Sequence, residues 1–393
     1  MENIARILKA KEIKIKKQFI APLTSVRIIA AIVIYIHHFT YNPDFSIPFG
    51  PMLNWRMFRL LIANAAHALD LFLLLSGFLM LYVYREKFKN GITFKNVKYY
   101  YLLRLSRIYP LHILTIFIVW LLFIANLCEP SGINLTGSFF LNATLMSSWG
   151  VNEVITWNSP AWALSAEWFC YLLFPLLGLF FSNIDNKLYL LSIFLFFTFA
   201  YLVFLKNIAP IPMPSSFDYS TYFPLNPPFF GAGSLIRTFF CFSTGCILYK
   251  LFEQNFLKKL NWDIIFIIVS IILFCKFTYD INSKYKILEV FFLLNILLYS
   301  LANCKKKIYS IFSNKVFVYL GKIAFALYML HYPYLKIVNY MYTKFNISVN
   351  SPWVNFLIVT IILLILSSFF YHFVEVRCQE LLRRKFIKDP GEI

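Results

Sequence analysis

The stretch RIIAAIVIYIHH, residues 27–38, decides how the chain is read. Nine residues drawn from Ile, Ala, Val and Tyr are framed by one arginine and two histidines. Lipid accepts the middle and penalises both ends. As a helix, the eleven residues from Arg27 to His38 turn through about 1100°, or three turns and about 20°. The two side chains therefore share a face, about 16 Å apart along the axis, while His37 falls about 80° aside. Such a helix aims a cation near one membrane surface, and an imidazole nearer the other, into one groove. Taken alone, the segment fits equally well a snorkelling arginine with two interfacial histidines.

The rest of the chain supplies the setting. Its 393 residues are 60% hydrophobic and only 14% charged, with a mean hydropathy of +0.67. That is far more apolar than soluble domains, which are about a quarter charged. Many runs approach the roughly 20 residues a helix needs to cross a bilayer. They do not alternate as barrel strands do. The expected fold is all-α, a polytopic integral membrane bundle of about ten helices. The spans are predicted near 24–40, 62–84, 108–127, 163–181, 188–205, 235–252, 262–279, 286–302, 316–340 and 353–376. The first twenty residues are basic and show no small-residue cleavage site, so no cleaved signal peptide is expected.

Lys and Arg alternate between loops, as a membrane orientation requires. Six stand between Arg6 and Lys17, seven between Arg85 and Arg107, and none in the 35 residues 128–162. Lys305, Lys306, Lys307 and Lys315 cluster again, and the tail is basic. Both termini are therefore predicted to be cytoplasmic and 128–162 external, where a cysteine at Ser148 should meet an impermeant thiol reagent. The organisation follows: a basic arm at 1–23, a membrane domain at 24–376 and a short basic tail at 377–393. The net charge of +19 is spread over loops beside spans, so it reads as orientation and not as a nucleic-acid surface. Most of the seven cysteines lie within spans, and Cys128 alone is predicted outside. Neither an external disulfide nor a metal site is expected, since Cys241 and Cys246 match no metal-ligand spacing.

Charged and polar groups at membrane depth are the functional suspects. All six histidines lie in or beside spans: His37, His38, His67, His112, His331 and His372. HALDLFLLLSGFLM, 67–80, puts Asp70 on one face with Gly77; the carboxylate needs a cationic partner, and Ser76-Gly77 permits close helix contact. RLSRIYPLH, 104–112, sets Arg104 and Arg107 one turn apart at the cytoplasmic mouth of span three, a fork that suits phosphate. In WALSAEWFCYLLFPLL, 162–177, Glu167 stands near the outer end of span four with Tyr171 one turn below. GKIAFALYMLHYPYL, 321–335, carries His331 about 13 Å in from Lys322. Groups so placed serve a membrane enzyme, and they also serve a proton-coupled transporter of a glycan or lipid-linked intermediate. A transporter is expected to repeat interrupted helices in two halves, and no such repeat is visible.

In order along the chain, these segments resemble acyltransferase family 3, the bacterial surface-glycan O-acyltransferases. The resemblance rests on Arg27-x10-His38, DLFLLLSGFL and Arg104-x-x-Arg107-Ile-Tyr-Pro. It continues through Trp162-x-x-Ser165-x-Glu167 with Tyr171 and Phe174-Pro175, Leu327-Tyr328-x-x-His331-x-Pro333, and Tyr371-His372-Phe373-Val374-Glu375. His37, Cys170 and Ala68-Leu69 depart from the family pattern. The fused extracytoplasmic esterase-like domain of some members is not expected here. The resemblance implies a multi-pass protein of the inner (cytoplasmic) membrane. It would transfer an acyl group, usually acetyl, from cytoplasmic acyl-CoA to a sugar hydroxyl of a surface or exported glycan or glycolipid. On that reading His38 is the general base and Arg104 and Arg107 grip the coenzyme A phosphates. Arg27 either orders the donor's arm or pairs with Asp70, Glu167 orients the acceptor or the imidazole, and His331 completes the pocket. Acetyl-CoA is the implied donor, and no metal or nucleic acid is expected to take part.

Overall fold

A computed structural model describes residues 20–41, 55–127, 135–151, 156–208, 231–279, 286–347 and 351–386. The N-terminal arm to residue 19, Cys128, most of the outer connection 206–234 and the end of the tail lie outside them. The described residues are helical and contain no strand. In chain order the helices are α1 (Ala21–Tyr41), α2 (Arg56–Ala63), α3 (Ala66–Phe88), α4 (Phe94–Ile124), α5 (Leu135–Ala143), α6 (Ala161–Ser182) and α7 (Lys187–Ile208). There follow α8 (Gly231–Glu253), α9 (Trp262–Tyr279), α10 (Lys286–Asn303), α11 (Lys307–Phe312), α12 (Lys315–Lys344) and α13 (Pro352–Phe370). A π-turn, Tyr371–Val376, then leads into α14 (Arg377–Phe386).

Nine helices among the described residues are long and apolar enough to cross a membrane, so the protein is a multi-pass helical membrane protein. They match nine of the predicted spans. The tenth prediction, 262–279, is the 18-residue α9, the shortest of the set together with α10. The third span begins well before its predicted start. Thr93 caps α4 by accepting from the Asn96 amide at 3.3 Å, and the helix then runs 31 residues. Arg104 and Arg107 are thus ten and thirteen residues inside a continuous helix rather than at its mouth. At about 1.5 Å per residue they stand about 15–20 Å above its first turn.

Glycine sets the closest helix pairs. A Cβ on Gly77 of α3 would lie 1.9 Å from the Phe242 carbonyl oxygen of α8. One on Gly245 of α8 would lie 2.0 Å from the Leu74 carbonyl oxygen of α3. Gly321 of α12 meets the Thr24 carbonyl oxygen of α1 in the same way, at 2.1 Å. Where lipid offers no hydrophobic drive between helices, such backbone approach supplies the packing. The expected use of Ser76-Gly77 for close contact is therefore seen.

Contacts across the bundle define two ends. Near the start of α1, the Ser25 hydroxyl donates to the Phe312 carbonyl oxygen at 2.5 Å, and Arg107 pairs with Glu375 at the end of the α13 segment. The first and last described helices therefore share one end, called the basic end below. At the far end, Trp55 lies against Trp353 with the rings tilted and their centroids 6.0 Å apart. The described part of the connection between α4 and α6 is folded rather than open. Ser148 is fully buried, its hydroxyl and amide both directed to the Ser165 hydroxyl of α6 at 3.0 and 3.1 Å. It is not accessible to a thiol reagent; Val151, 65% exposed, is the position that reports on sidedness.

Candidate active site

One cavity of about 120 Å³ opens within the bundle, between α1, α3, α4, α6 and α12. Arg27, Arg104 and Arg107 line it, with Glu167 and Tyr171 from α6 and Tyr328 from α12. Four of the seven predicted site residues thus meet in one space. All four are half-buried. Arg104 donates from Nη2 to the Tyr84 hydroxyl at 2.9 Å, and its guanidinium lies 5.1 Å from the Tyr84 ring centre and 6.0 Å from that of Tyr171. Arg107 has a carboxylate partner, Glu375, at 2.6 Å. Among the described residues, no carboxylate lies within ion-pair distance of Arg27 or Arg104. An arginine in a membrane helix normally finds a counter-charge. Here two line one cavity without an ion-pair partner, with the Glu167 carboxylate elsewhere in the same wall.

Glu167 closes a short relay. The Tyr171 hydroxyl donates to Glu167 Oε1 at 2.7 Å, so at 3.1 Å it accepts from the Ser76 hydroxyl. The carboxylate is held one helical turn above the tyrosine, as the spacing in α6 predicts.

His38 and His331 stand outside that lining but against each other, with ring centroids 4.9 Å apart. Their hydrogen bonds fix their tautomers. His331 Nδ1 lies 2.7 Å from the Tyr328 carbonyl oxygen and must donate to it. In a neutral ring, Nε2 of His331 is then an acceptor. His38 Nδ1 faces that nitrogen at 3.3 Å and the Ile34 carbonyl oxygen at 2.9 Å. Both neighbours accept, so His38 Nδ1 carries the hydrogen and His38 Nε2 keeps its lone pair. This assignment comes from the partners, as tautomers must. It leaves one base nitrogen on His38, with His331 wholly buried behind it. Tyr328 connects the two parts of the site, since its ring lines the cavity and its carbonyl anchors His331. Its hydroxyl donates to the Pro160 carbonyl oxygen at 2.8 Å, tying α12 to the start of α6.

The remaining histidines have other partners. His37 turns to the Ile62 carbonyl oxygen of the short helix before α3, at 3.1 Å. His112 meets the Asn142 carbonyl oxygen at 2.7 Å, His372 the Tyr319 hydroxyl at 3.2 Å, and His67 the Asp70 carboxylate at 3.1 Å. Asp70 does not meet Arg27. Its Oδ1 accepts from Arg237 Nε of α8 at 2.8 Å, and the pair is almost fully buried. The expectation of a cationic partner holds, but the cation comes from a helix 167 residues along the chain. The reason is geometric. Asp70 shares a face with Gly77, and that face packs against α8. Arg237 and Tyr84 were not singled out from the sequence, and Glu375 appeared there only within the last motif, with no role assigned. Arg237 and Glu375 carried a usable signal, since each is a charge within or at the end of an apolar run.

A bundle of membrane helices enclosing an arginine-lined cavity beside a histidine pair defines the class. Residues 21–372 match the family described as an acyltransferase domain, and the chain belongs to acyltransferase family 3. It is also similar to the acyltransferase MdmB of Streptomyces mycarofaciens, 28% identical over 158 residues, which is 39% of this chain and 38% of that protein. No solved structure matches the chain.

Proposed function

We propose that the protein is a membrane O-acyltransferase of the inner membrane that moves an acyl group, acetyl foremost, from cytoplasmic acyl-CoA to a hydroxyl of a surface or exported glycan. The observation that carries this reading is the pair of arginines, Arg27 and Arg104, which line one cavity and have no carboxylate within ion-pair distance among the described residues. Guanidinium forks match phosphate oxygens in charge and geometry. Arg27, Arg104 and Arg107 would hold the phosphorylated donor, and the thioester supplies an activated carbonyl. His38 Nε2 takes the proton of the acceptor hydroxyl as its oxygen attacks, and returns it to the departing sulfur. His331 keeps His38 in the tautomer that permits this. Glu167 orients the acceptor from the cavity wall. The acceptor approaches from the far end, where α1 ends and the connection before α6 folds over Tyr328.

The direct test compares His38→Ala with His37→Ala at matched expression, following acetyl transfer from acetyl-CoA to the glycan of the native host. Loss of a general base costs about 10²–10⁴ in rate. His38→Ala should fall by that much, while His37→Ala keeps most of its activity because its ring nitrogen is turned to the Ile62 carbonyl oxygen of another helix. The reverse pattern moves the base to His37. Full activity in both removes the histidine mechanism. Acetyl-CoA hydrolysis by the purified protein separates the enzyme from a transporter, which should show none.

A further inference from the structure

Glu375 has no place in the chemistry above, yet its side chain is wholly buried and lies 2.6 Å from Arg107, which is 27% exposed to the cavity. The backbone departs from a regular helix on the way to it. Helix α13 buries Asn355, Val359, Leu363 and Ser367 at intervals of four. Glu375, eight residues beyond Ser367, continues the same four-residue step. Between the two the chain passes through the π-turn Tyr371–Val376. Its i→i+5 bonds widen the turn and slow the rotation, and such turns recur at functional sites. Ser367 and Glu375 are both fully buried.

Among the described residues, neither Glu375 oxygen has a hydrogen-bond donor in good geometry, and its close contact is the ion pair with Arg107 Nη1 at 2.6 Å. A buried carboxylate with one cationic contact cannot release it without leaving a bare charge. Arg107 is therefore held, not shared out. A guanidinium has five N–H donors, so the edge spent on Glu375 leaves others for a ligand. We infer that Glu375 is a positioning residue of the donor site, which fixes Arg107 so that its remaining N–H groups serve the donor phosphates. This rests on the acyl-CoA reading of the cavity. It also divides the labour among the three arginines. Arg107, neutralised by Glu375, supplies direction, and Arg27 and Arg104 supply the net positive charge.

The test is a double-variant cycle read as KM and kcat for acetyl-CoA. Arg107→Ala should raise the donor KM about tenfold or more. Glu375→Ala should raise it by a similar factor with kcat nearly unchanged at saturating donor, and the double variant should be no worse than either single one. Glu375→Gln, which keeps an acceptor of the same shape, should give a smaller rise. A wild-type donor KM in Glu375→Ala, or a double variant whose shift is the product of the single shifts, overturns the inference alone. Should Glu375→Ala fail to insert, Glu375→Gln in the wild-type and Arg107→Ala backgrounds decides by the same rule. There, no shift in either background, or the same shift in both, overturns it. If Arg107→Ala itself leaves the donor KM unchanged, the donor site is misassigned and the role of Glu375 falls with it.

Discussion

The bundle holds two arginine sites that differ in how their charge is met. At the Asp70 site, Arg237 donates to Asp70 Oδ1 at 2.8 Å and to the Ala66 carbonyl oxygen at 3.0 Å. Asp70 takes a further contact from His67, whose ring stacks on Phe277 with centroids 5.8 Å apart. That site is closed. At the cavity, no carboxylate among the described residues is within ion-pair distance of Arg27 or Arg104, and Glu167 shares the lining without pairing with either. The same side chain is a fastener in one place and a receptor in the other. Counter-charge and access separate the roles; residue type and membrane depth do not.

The largest effect that bears on this contrast is expected at the closed site. Asp70→Ala leaves Arg237 buried without its ion-pair partner, which typically costs about 3–5 kcal/mol. Inserted, folded protein should drop sharply, and adding Arg237→Leu should recover much of it. A stable Asp70→Ala protein without activity would erase the contrast and make Asp70 part of the chemistry. At the cavity, Arg27→Ala and Arg104→Ala should leave thermal stability near wild type. Each loses charge-assisted hydrogen bonds of about 1.5–3 kcal/mol, raising the acetyl-CoA KM by about one to two decades. Unfolding of both variants with an unshifted KM in the surviving protein would turn these arginines into fasteners as well. The smallest effect belongs to Tyr84→Phe, which keeps the buried ring but removes the hydroxyl that accepts from Arg104. A loss of about 0.5–1.5 kcal/mol corresponds to a donor KM raised about two- to tenfold. No change would show that Arg104 orients itself without help.

Much of this was legible in the sequence because helical phase is local. The turning aside of His37 and the contact of Tyr171 with Glu167 follow from 100° per residue, whereas the one groove expected for Arg27 and His38 is not seen, since the cavity that Arg27 lines does not include His38. The spans follow from apolar length. Neighbours across the bundle are another matter. The sequence showed that Asp70 needs a cation but named Arg27 as the candidate and passed over Arg237. Only the packing of Gly77 and Gly245 against opposing backbones decides between them. The start of α4 was set too late because its first turns are polar, and hydropathy registers lipid rather than helix. The π-turn left no mark in the sequence, since its purpose lies in a partner on another helix.

The glycine contacts have a mechanical consequence. With no side chain between the backbones of α3 and α8 at Gly77 and Gly245, or of α1 and α12 at Gly321, each pair behaves as a single stiff beam. The cavity lies along the seam between these beams, with α4 and α6 completing its wall. Compliance is therefore concentrated in the seam, where the contacts are side chains that can change rotamer. Whatever passes from the arginines toward the histidines has to find its clearance by parting the beams, because it cannot bend either one.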